Sequence, residues 1–399
     1  MHFFAQILPF ALAALSTVDA APAPVLKAPA GQQVVPNGYI VVMKPGTTAE
    51  KFAAHRNWVT SSQSTRMGIQ NAGVKKNFNF ANGFKAYSGV FDNELVSQIS
   101  NDGDVAYIEP DGIVTISALE TQPDAPSWGL PRVSSKSGGN SSDYVYDSTA
   151  GEGVTAYIVD TGIEVDHSDF GGRATWGHNT ADSQDTDCNG HGTHVAGTVA
   201  GTEYGIAKKA NLIAVKVLDC EGSGSNSGVI EGMQWAAEHA SSNGDPKKSV
   251  MNMSLGGSAS QATNDAAAAV VSAGIFLAVA AGNEGTDAGS SSPASEPTVC
   301  TVGASDSSDT MAEFSNYGEV VDVFAPGVDI VSAYIGGGSD TLSGTSMASP
   351  HVCGLGAYLI ALEGISGGAV CDRMKELASS AVSGVPSGTT DKLIYNGAE

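Results

Sequence analysis

A serine set among small residues, Gly344-Thr345-Ser346-Met347-Ala348-Ser349-Pro350, stands where a helix is about to begin. Its hydroxyl is a weak nucleophile until a base takes the proton. A base is available upstream in Asn189-Gly190-His191-Gly192-Thr193-His194, and earlier still an apolar run over 154–159 ends in Asp160-Thr161-Gly162. Acid, base, nucleophile is one of the known chain orders of a Ser-His-Asp triad. In that chemistry Ser346 attacks a carbonyl carbon, and His191 takes the Ser346 proton and later gives it to the leaving amine. Asp160 holds the imidazole in one tautomer and stabilises its charged form. A fourth group follows a further apolar run, in Ala280-Ala281-Gly282-Asn283. The Asn283 carboxamide and the Ser346 backbone N–H would stabilise the oxyanion, and losing one such side-chain donor costs about 3–4 kcal/mol in the barrier. Singly, each motif has an ordinary reading: a turn for Asp-Thr-Gly, a helix start for HGTH, a cap for Gly-Thr-Ser. His191 and His194 could also hold a metal, but they lie three apart without an adjacent glutamate motif. Together, in this order, the four point to acyl transfer.

The elements that must position these groups divide into two patterns. Strand candidates at 38–43, 86–91, 105–109 and 114–116, with helices at 50–58 and 94–99, make a small α+β unit with helices on one side of an antiparallel sheet. Residues 21–36 read as an exposed leader, and the polar stretch 120–126 as a linker, which puts the boundary at about Ser117/Ala118. Beyond it, apolar strands at 154–159, 212–217, 250–253, 276–280 and 299–302 alternate with helices at 192–200, 227–240, 261–273 and 346–362. That alternation predicts an α/β doubly wound, mainly parallel sheet with helices on both faces. Ligands of such sheets sit at the carboxyl ends of the strands, where Asp160 and Asn283 fall.

Composition narrows the function classes. Residues 1–117 carry 8 basic and 8 acidic groups, whereas residues 118–399 carry 11 and 34, so the net charge of -23 lies wholly in the C-terminal part. An acidic surface argues against nucleic acid and anionic membranes as partners. Residues 1–20 have the apolar core and small-residue end of a secretory signal, with a core too short to span a bilayer. A secreted, extracellular product is expected. Its five cysteines then predict two disulfides and one free thiol, with connectivity left open by the sequence. Asn140-Ser141-Ser142 is a glycosylation acceptor in a loop; Asn252-Met253-Ser254 also fits but falls in an apolar strand.

The four catalytic motifs closely resemble those of the subtilisin-like serine proteases, in particular the secreted proteinase K-like branch. Trp128-Gly129-Leu130, Gly205-Ile206-Ala207, Ser254-Leu255-Gly256-Gly257, Ser292-Pro293-Ala294-Ser295 and Phe324-Ala325-Pro326-Gly327 extend the likeness over nearly all of residues 118–399. Residues 38–117 resemble the family's inhibitory propeptide, so the resemblance implies a zymogen with signal 1–20, propeptide 21–117 and peptidase 118–399. It further implies a groove in which Gly222, Ser223, Gly224 and Ser254, Leu255, Gly256 pair with an extended peptide, by the physics of strand addition. The pocket walls near Leu255, Gly256 and Ala281 are apolar or small, which predicts a preference for apolar or aromatic residues before the cleaved bond. An acidic pocket for paired basic residues is not shown by the motif-adjacent residues. Asn226 stands where the branch often carries a tyrosine lid. The resemblance implies disulfides Cys188–Cys220 and Cys300–Cys371, each worth roughly 4 kcal/mol on loop entropy, and leaves Cys353 as a buried small hydrophobe. It also implies a structural calcium ion on the Pro297 and Val299 carbonyls and the Asp322 carboxylate. No cofactor is needed for catalysis. The expected partners are extracellular protein and peptide substrates and the chain's own propeptide, with a monomeric enzyme. Two rival readings are a narrow processing protease and a non-catalytic binding protein on the same fold.

Overall fold

The computed structural model describes residues 21–28, 34–64, 73–112, 119–138 and 141–398. The expected signal at 1–20, the strand at 114–116, the Ser117/Ala118 boundary and Asn140 lie outside the described residues. The chain divides into two compact units, Met1–Val114 and Thr115–Glu399.

The first unit runs β1 (Val34–Met43), α1 (Ala49–Ser64), β2 (Gly73–Asn79), β3 (Lys85–Val90), α2 (Asn93–Ser100) and β4 (Val105–Gly112). Its strands form one antiparallel sheet, ordered β2-β3-β1-β4. Val41, Phe52, Val59, Tyr87, Leu95, Ile99 and Ile108 from both helices and the sheet make the core. Asp92 caps α2, its carboxylate accepting from Leu95 N–H at 2.7 Å, which satisfies one of the N–H groups a helix start leaves unpaired. Two segments differ from the sequence reading. Residues 34–36 are not leader but the start of β1, and Val25 bridges Ile108. β2, with the sequence Gly-Val-Lys-Lys-Asn-Phe-Asn, escaped notice because it is a mostly solvated edge strand with no apolar alternation.

The second unit begins with β5 (Leu119–Gln122), α3 (Gly129–Val133), β6 (Tyr144–Asp147), β7 (Thr155–Asp160), β8 (Ala174–Asn179), α4 (His191–Ala200), β9 (Asn211–Lys216) and α5 (Asn226–Asn243). β10 (Ser249–Met253), β11 (Gly257–Ser258), α6 (Gln261–Ser272), β12 (Phe276–Ala280), β13 (Ser291–Ser292), β14 (Cys300–Ser305) and β15 (Val323–Pro326) follow. β16 (Ile330–Tyr334), β17 (Gly338–Leu342), α7 (Thr345–Glu363), α8 (Ala369–Leu377), β18 (Ser379–Ser380) and β19 (Lys392–Leu393) complete it. The polar stretch read as a linker instead opens with β5, which pairs antiparallel with β6 from Leu119↔Asp147 to Gln122↔Tyr144. Backbone pairing holds it, so its polar side chains gave no strand signal.

Nine strands form the main sheet, ordered β18-β19-β15-β14-β12-β10-β7-β9-β8, parallel except at the β18 edge. Successive strands leave β7 in opposite directions, β8 and β9 to one side and β10 onward to the other. The crevice beside β7 is therefore the switch point at which such sheets bind ligands. Alternate residues of each strand serve two cores. Ala156, Ile158, Val250, Phe276 and Ala278 face α4 and α7; Tyr157, Val159, Met251, Leu277 and Val279 face α5 and α6. α7 is almost wholly buried, and Gly354 lets it close on α4: a Cβ there would lie 2.8 Å from the Val199 carbonyl oxygen.

Two histidines lie in this core beneath the helices. His194 on α4 pairs through Nε2 with the Ile330 carbonyl at 2.9 Å, and His351 on α7 through Nδ1 with the Met347 carbonyl at 2.8 Å. Burial pushes both imidazoles down to about 4, whereas the unfolded chain titrates near 6.5. The stability each contributes is present above about pH 6.5 and is lost as pH falls towards 4, because the unfolded chain takes up protons first. Between pH 7 and pH 5 the loss is about 2 kcal/mol per histidine. Denaturant unfolding of the Ser346→Ala variant at the two pH values measures it, and equal stabilities would contradict the buried neutral state.

Candidate active site

Asp160 is the last residue of β7, fully buried at the carboxyl edge of the sheet. Its Oδ1 accepts from Thr161 N–H at 2.8 Å and lies 2.7 Å from His191 Nδ1. An ionised carboxylate only accepts, so Nδ1 carries the proton and Nε2 of the neutral ring is the acceptor. Asp160 Oδ2 has no hydrogen-bond partner among the described residues. His191 opens α4 and keeps about a quarter of its side chain exposed, so a buried acid meets a base that borders the crevice.

The turn that delivers His191 is organised by Asp187, a residue the sequence reading passed over. Its buried carboxylate accepts from the N–H groups of Asn189, Gly190 and Thr193 and from the hydroxyls of Thr161 and Thr193, at 2.6–3.1 Å. Asp187 thereby caps α4 and fastens it to Thr161, next to Asp160. Gly190 adopts φ +100°, which its lack of a Cβ permits. At Gly192 a Cβ would collide with the Gly162 carbonyl, so only glycine lets α4 approach the Asp160 turn so closely. The signal for Asp187 was present, an acid four residues before the histidine at a helix start. Burial pulls the His191 imidazole down, but the Asp160 carboxylate beside it and the Asp187 charge outweigh this and hold it above the ordinary histidine range.

Ser346 stands in the first turn of α7, half-buried. Pro350, four residues on, has no N–H to give the Ser346 carbonyl. The Ser254 hydroxyl supplies the missing bond at 2.7 Å, and it accepts in turn from Asn252 Nδ2 at 2.9 Å. Ser349 donates to Asn252 Oδ1 at 2.9 Å, closing a buried polar chain between the end of β10 and α7. The Ser346 hydroxyl itself donates to the Ser254 carbonyl at 3.1 Å. Asn283 follows β12. Its Oδ1 accepts from Thr345 N–H at 2.8 Å and from the Thr345 hydroxyl at 2.9 Å, which leaves Nδ2 as the outward donor. A point where a Gly344 Cβ would stand lies 3.5 Å from Ser346 N and 3.6 Å from Asn283 Nδ2, so the two donors converge.

Two adjoining cavities share Leu255, Gly256 and Gly257. One, of about 360 Å³, is lined by Ala280, Ala281, Asn283, Glu284, Ala294 and Ser346. The other, of about 460 Å³, is lined by His191, Leu218, Gly222, Ser223, Gly224 and Ser254. All six expected groove residues therefore face the crevice, and Asn226 lines the second cavity. Glu284, the residue after Asn283, is an acidic group beside the motifs that the sequence reading did not place at the pocket. Its carboxylate lines the first cavity and is held by Asn316 Nδ2 at 2.7 Å.

Cys188 and Cys220 are bonded, tying the loop before α4 to the groove loop after β9, and Asn189 Nδ2 donates to the Cys220 carbonyl at 2.9 Å. Cys300 and Cys371 are bonded, and Cys353 is free and buried. The set expected to hold calcium fits the ion poorly. Asp322 Oδ2 accepts from Thr301 N–H at 2.9 Å, and Oδ1 pairs with Lys375 Nζ at 3.1 Å, so an ammonium already neutralises the one carboxylate.

Residues 151–378 match the family described as Subtilase family, and residues 38–117 match Peptidase inhibitor I9. The chain is 60% identical over its full length to a subtilisin-like protease of Coccidioides posadasii, 99% of which is covered. It is 56% identical to subtilisin-like protease 6 of Arthroderma gypseum and of Trichophyton tonsurans, again over 100% of this chain and 99% of each relative. A solved cold adapted subtilisin-like serine proteinase is 44% identical with a TM-score of 0.64, over 68% of this chain and 98% of that one.

The Asp187 geometry makes a direct prediction. Replacing Asp187 by Asn removes one negative charge near His191, so the imidazole should titrate at lower pH than in the parent; NMR titration of the ring reads this. Asp187→Ala, which orphans buried N–H groups, should cost about 2–4 kcal/mol in stability. An unmoved His191 titration would sever the link between the two residues.

Proposed function

The chain belongs to the subtilase family of serine endopeptidases and carries the family's inhibitor propeptide; on that premise we propose that it is a secreted enzyme, made as a zymogen, that hydrolyses extracellular proteins. Asp160, His191 and Ser346 are its triad, and Asn283 with the Ser346 N–H forms its oxyanion hole. The observation that carries this reading is the buried Asp160 carboxylate 2.7 Å from His191 Nδ1, with His191 and Ser346 lining adjoining cavities of one crevice. Residues 1–20 are the signal, 21–117 the propeptide and 118–399 the peptidase. Calcium at Pro297, Val299 and Asp322 is not part of the reading, because of the Lys375 pairing.

The chain's own groups supply each step. An extended peptide lies between Gly222-Ser223-Gly224 and Ser254-Leu255-Gly256 and pairs with their backbone. The Ser346 hydroxyl gives its proton to His191 Nε2 as Oγ attacks the carbonyl carbon. Asp160 stabilises the imidazolium, and the proton then passes to the leaving amine, after which water repeats the sequence on the acyl-enzyme. The developing oxyanion falls to Asn283 Nδ2 and Ser346 N–H, whose positions are set before substrate arrives. Ala280, Ala281, Ala294 and Leu255 favour an apolar or aromatic residue before the cleaved bond. Glu284 adds a carboxylate on one wall, which favours lysine as a second choice.

Expression of the full chain beside Ser346→Ala tests the reading, followed by intact mass and casein cleavage. The parent should shed its first ~117 residues and cleave casein, and the mutant should do neither. Both chains remaining whole and inactive would remove the catalytic claim. Asn283→Ala should lower kcat about 10²–10³-fold with KM little changed, the loss known for this donor in subtilisin itself. Glu284→Gln should lower cleavage after lysine several-fold relative to cleavage after phenylalanine, read as kcat/KM on paired peptides.

A further inference from the structure

We infer that the ammonium of Lys375 replaces the divalent cation that the family resemblance implies at Asp322, so that an ion pair, not calcium, holds this corner of the peptidase unit. Asp322 precedes β15 and pairs with the neighbouring strand: its N–H donates to the Thr301 carbonyl at 2.9 Å, and its Oδ2 accepts from Thr301 N–H at 2.9 Å. The remaining oxygen, Oδ1, is the one that meets Lys375 Nζ at 3.1 Å. The lysine is aimed there by covalent structure. Lys375 lies four residues after Cys371 on α8, one turn along and on the same face. Cys371 is bonded to Cys300 at the start of β14, and its sulfur lies beside the Asp322 carboxylate. The disulfide therefore fixes the helix face that carries the ammonium over the carboxylate.

The electrostatics exclude joint occupancy. Calcium would have to sit 2.3–2.6 Å from a carboxylate oxygen, side by side with the ammonium that already occupies Oδ1, and two cations that close on one group repel. Asp372 Oδ1 also pairs with Lys375 at 3.1 Å but is three-quarters exposed, so it steadies the lysine from the solvent side. Position within the helix favours a cation too, because Lys375 lies in the last turn of α8, where the carbonyl ends of the peptide dipoles collect.

The test uses the full chain with Ser346→Ala, which removes self-cleavage, and compares thermal unfolding in calcium chloride and in EDTA. Any calcium response of this parent should persist unchanged when Asp322→Asn is added, since asparagine keeps an acceptor for Thr301 N–H and removes the charge a cation needs. Lys375→Met should create a new response, a rise in Tm with calcium that is lost in the Lys375→Met/Asp322→Asn double variant. Lys375→Arg should create none. A parent response abolished by Asp322→Asn would overturn the inference, and so would the absence of any calcium response in Lys375→Met. Because the readout is unfolding and not proteolysis, its failure leaves the reading of the triad untouched.

Discussion

A carboxylate sealed beneath the end of β7 is the constraint on which the peptidase unit is arranged. Buried charge is costly unless paired and hydrogen-bonded, and among the described residues the Asp160 carboxylate has Thr161 N–H and the His191 ring to answer it. The sequence meets that demand by bringing the start of α4 against the Asp160 turn, closer than any residue but glycine would allow at 192. Asp187 repeats the solution one layer out, with five donors on one buried carboxylate. The disulfide at Cys188 then ties the same loop to the groove. The imidazole is thus fixed in tautomer and position by groups that make no contact with a substrate.

Ser346, the proposed nucleophile, is anchored by an opposite device, a bond left out. Pro350 denies the Ser346 carbonyl its helical partner, and Ser254 fills the gap from the end of β10. A proline inside a helix is ordinarily a fault. Here the freed acceptor joins α7 to the segment after β10 that also lines the crevice. Asn283 is oriented in the same way, through its oxygen, by Thr345 on that helix turn. Each donor or acceptor facing the crevice is therefore held by its other atom.

At the far side of the sheet the same economy of charge gives a different outcome. The Asp322 carboxylate lies between β14 and α8, and a lysine one turn from a disulfide takes it. The unit carries the chain's whole negative excess, yet this half-buried acid is neutralised from within the fold. Charge balance at a site depends on which side chains are adjacent in space, and net charge says nothing about it.

Much of this was readable along the chain. Apolar runs of strand length alternating with helical stretches specify a parallel sheet with two covered faces, because such strands must be buried on both sides. The order Asp160, His191, Asn283, Ser346 pointed to the chemistry proposed for the site, since residues at strand ends and helix starts are the ones such a sheet exposes. What could not be read there are relations between distant residues. β2 and β5 are polar and exist only by pairing; Asp187 looks like any loop acid until its donors gather; Glu284 lines the pocket with its carboxylate bonded to Asn316. Lys375, one lysine on an amphipathic helix, became the partner of Asp322 through folding. Periodicity and motif are local and are written in sequence, whereas the partner of a buried charge is chosen by three-dimensional adjacency, and only the tertiary structure decides that.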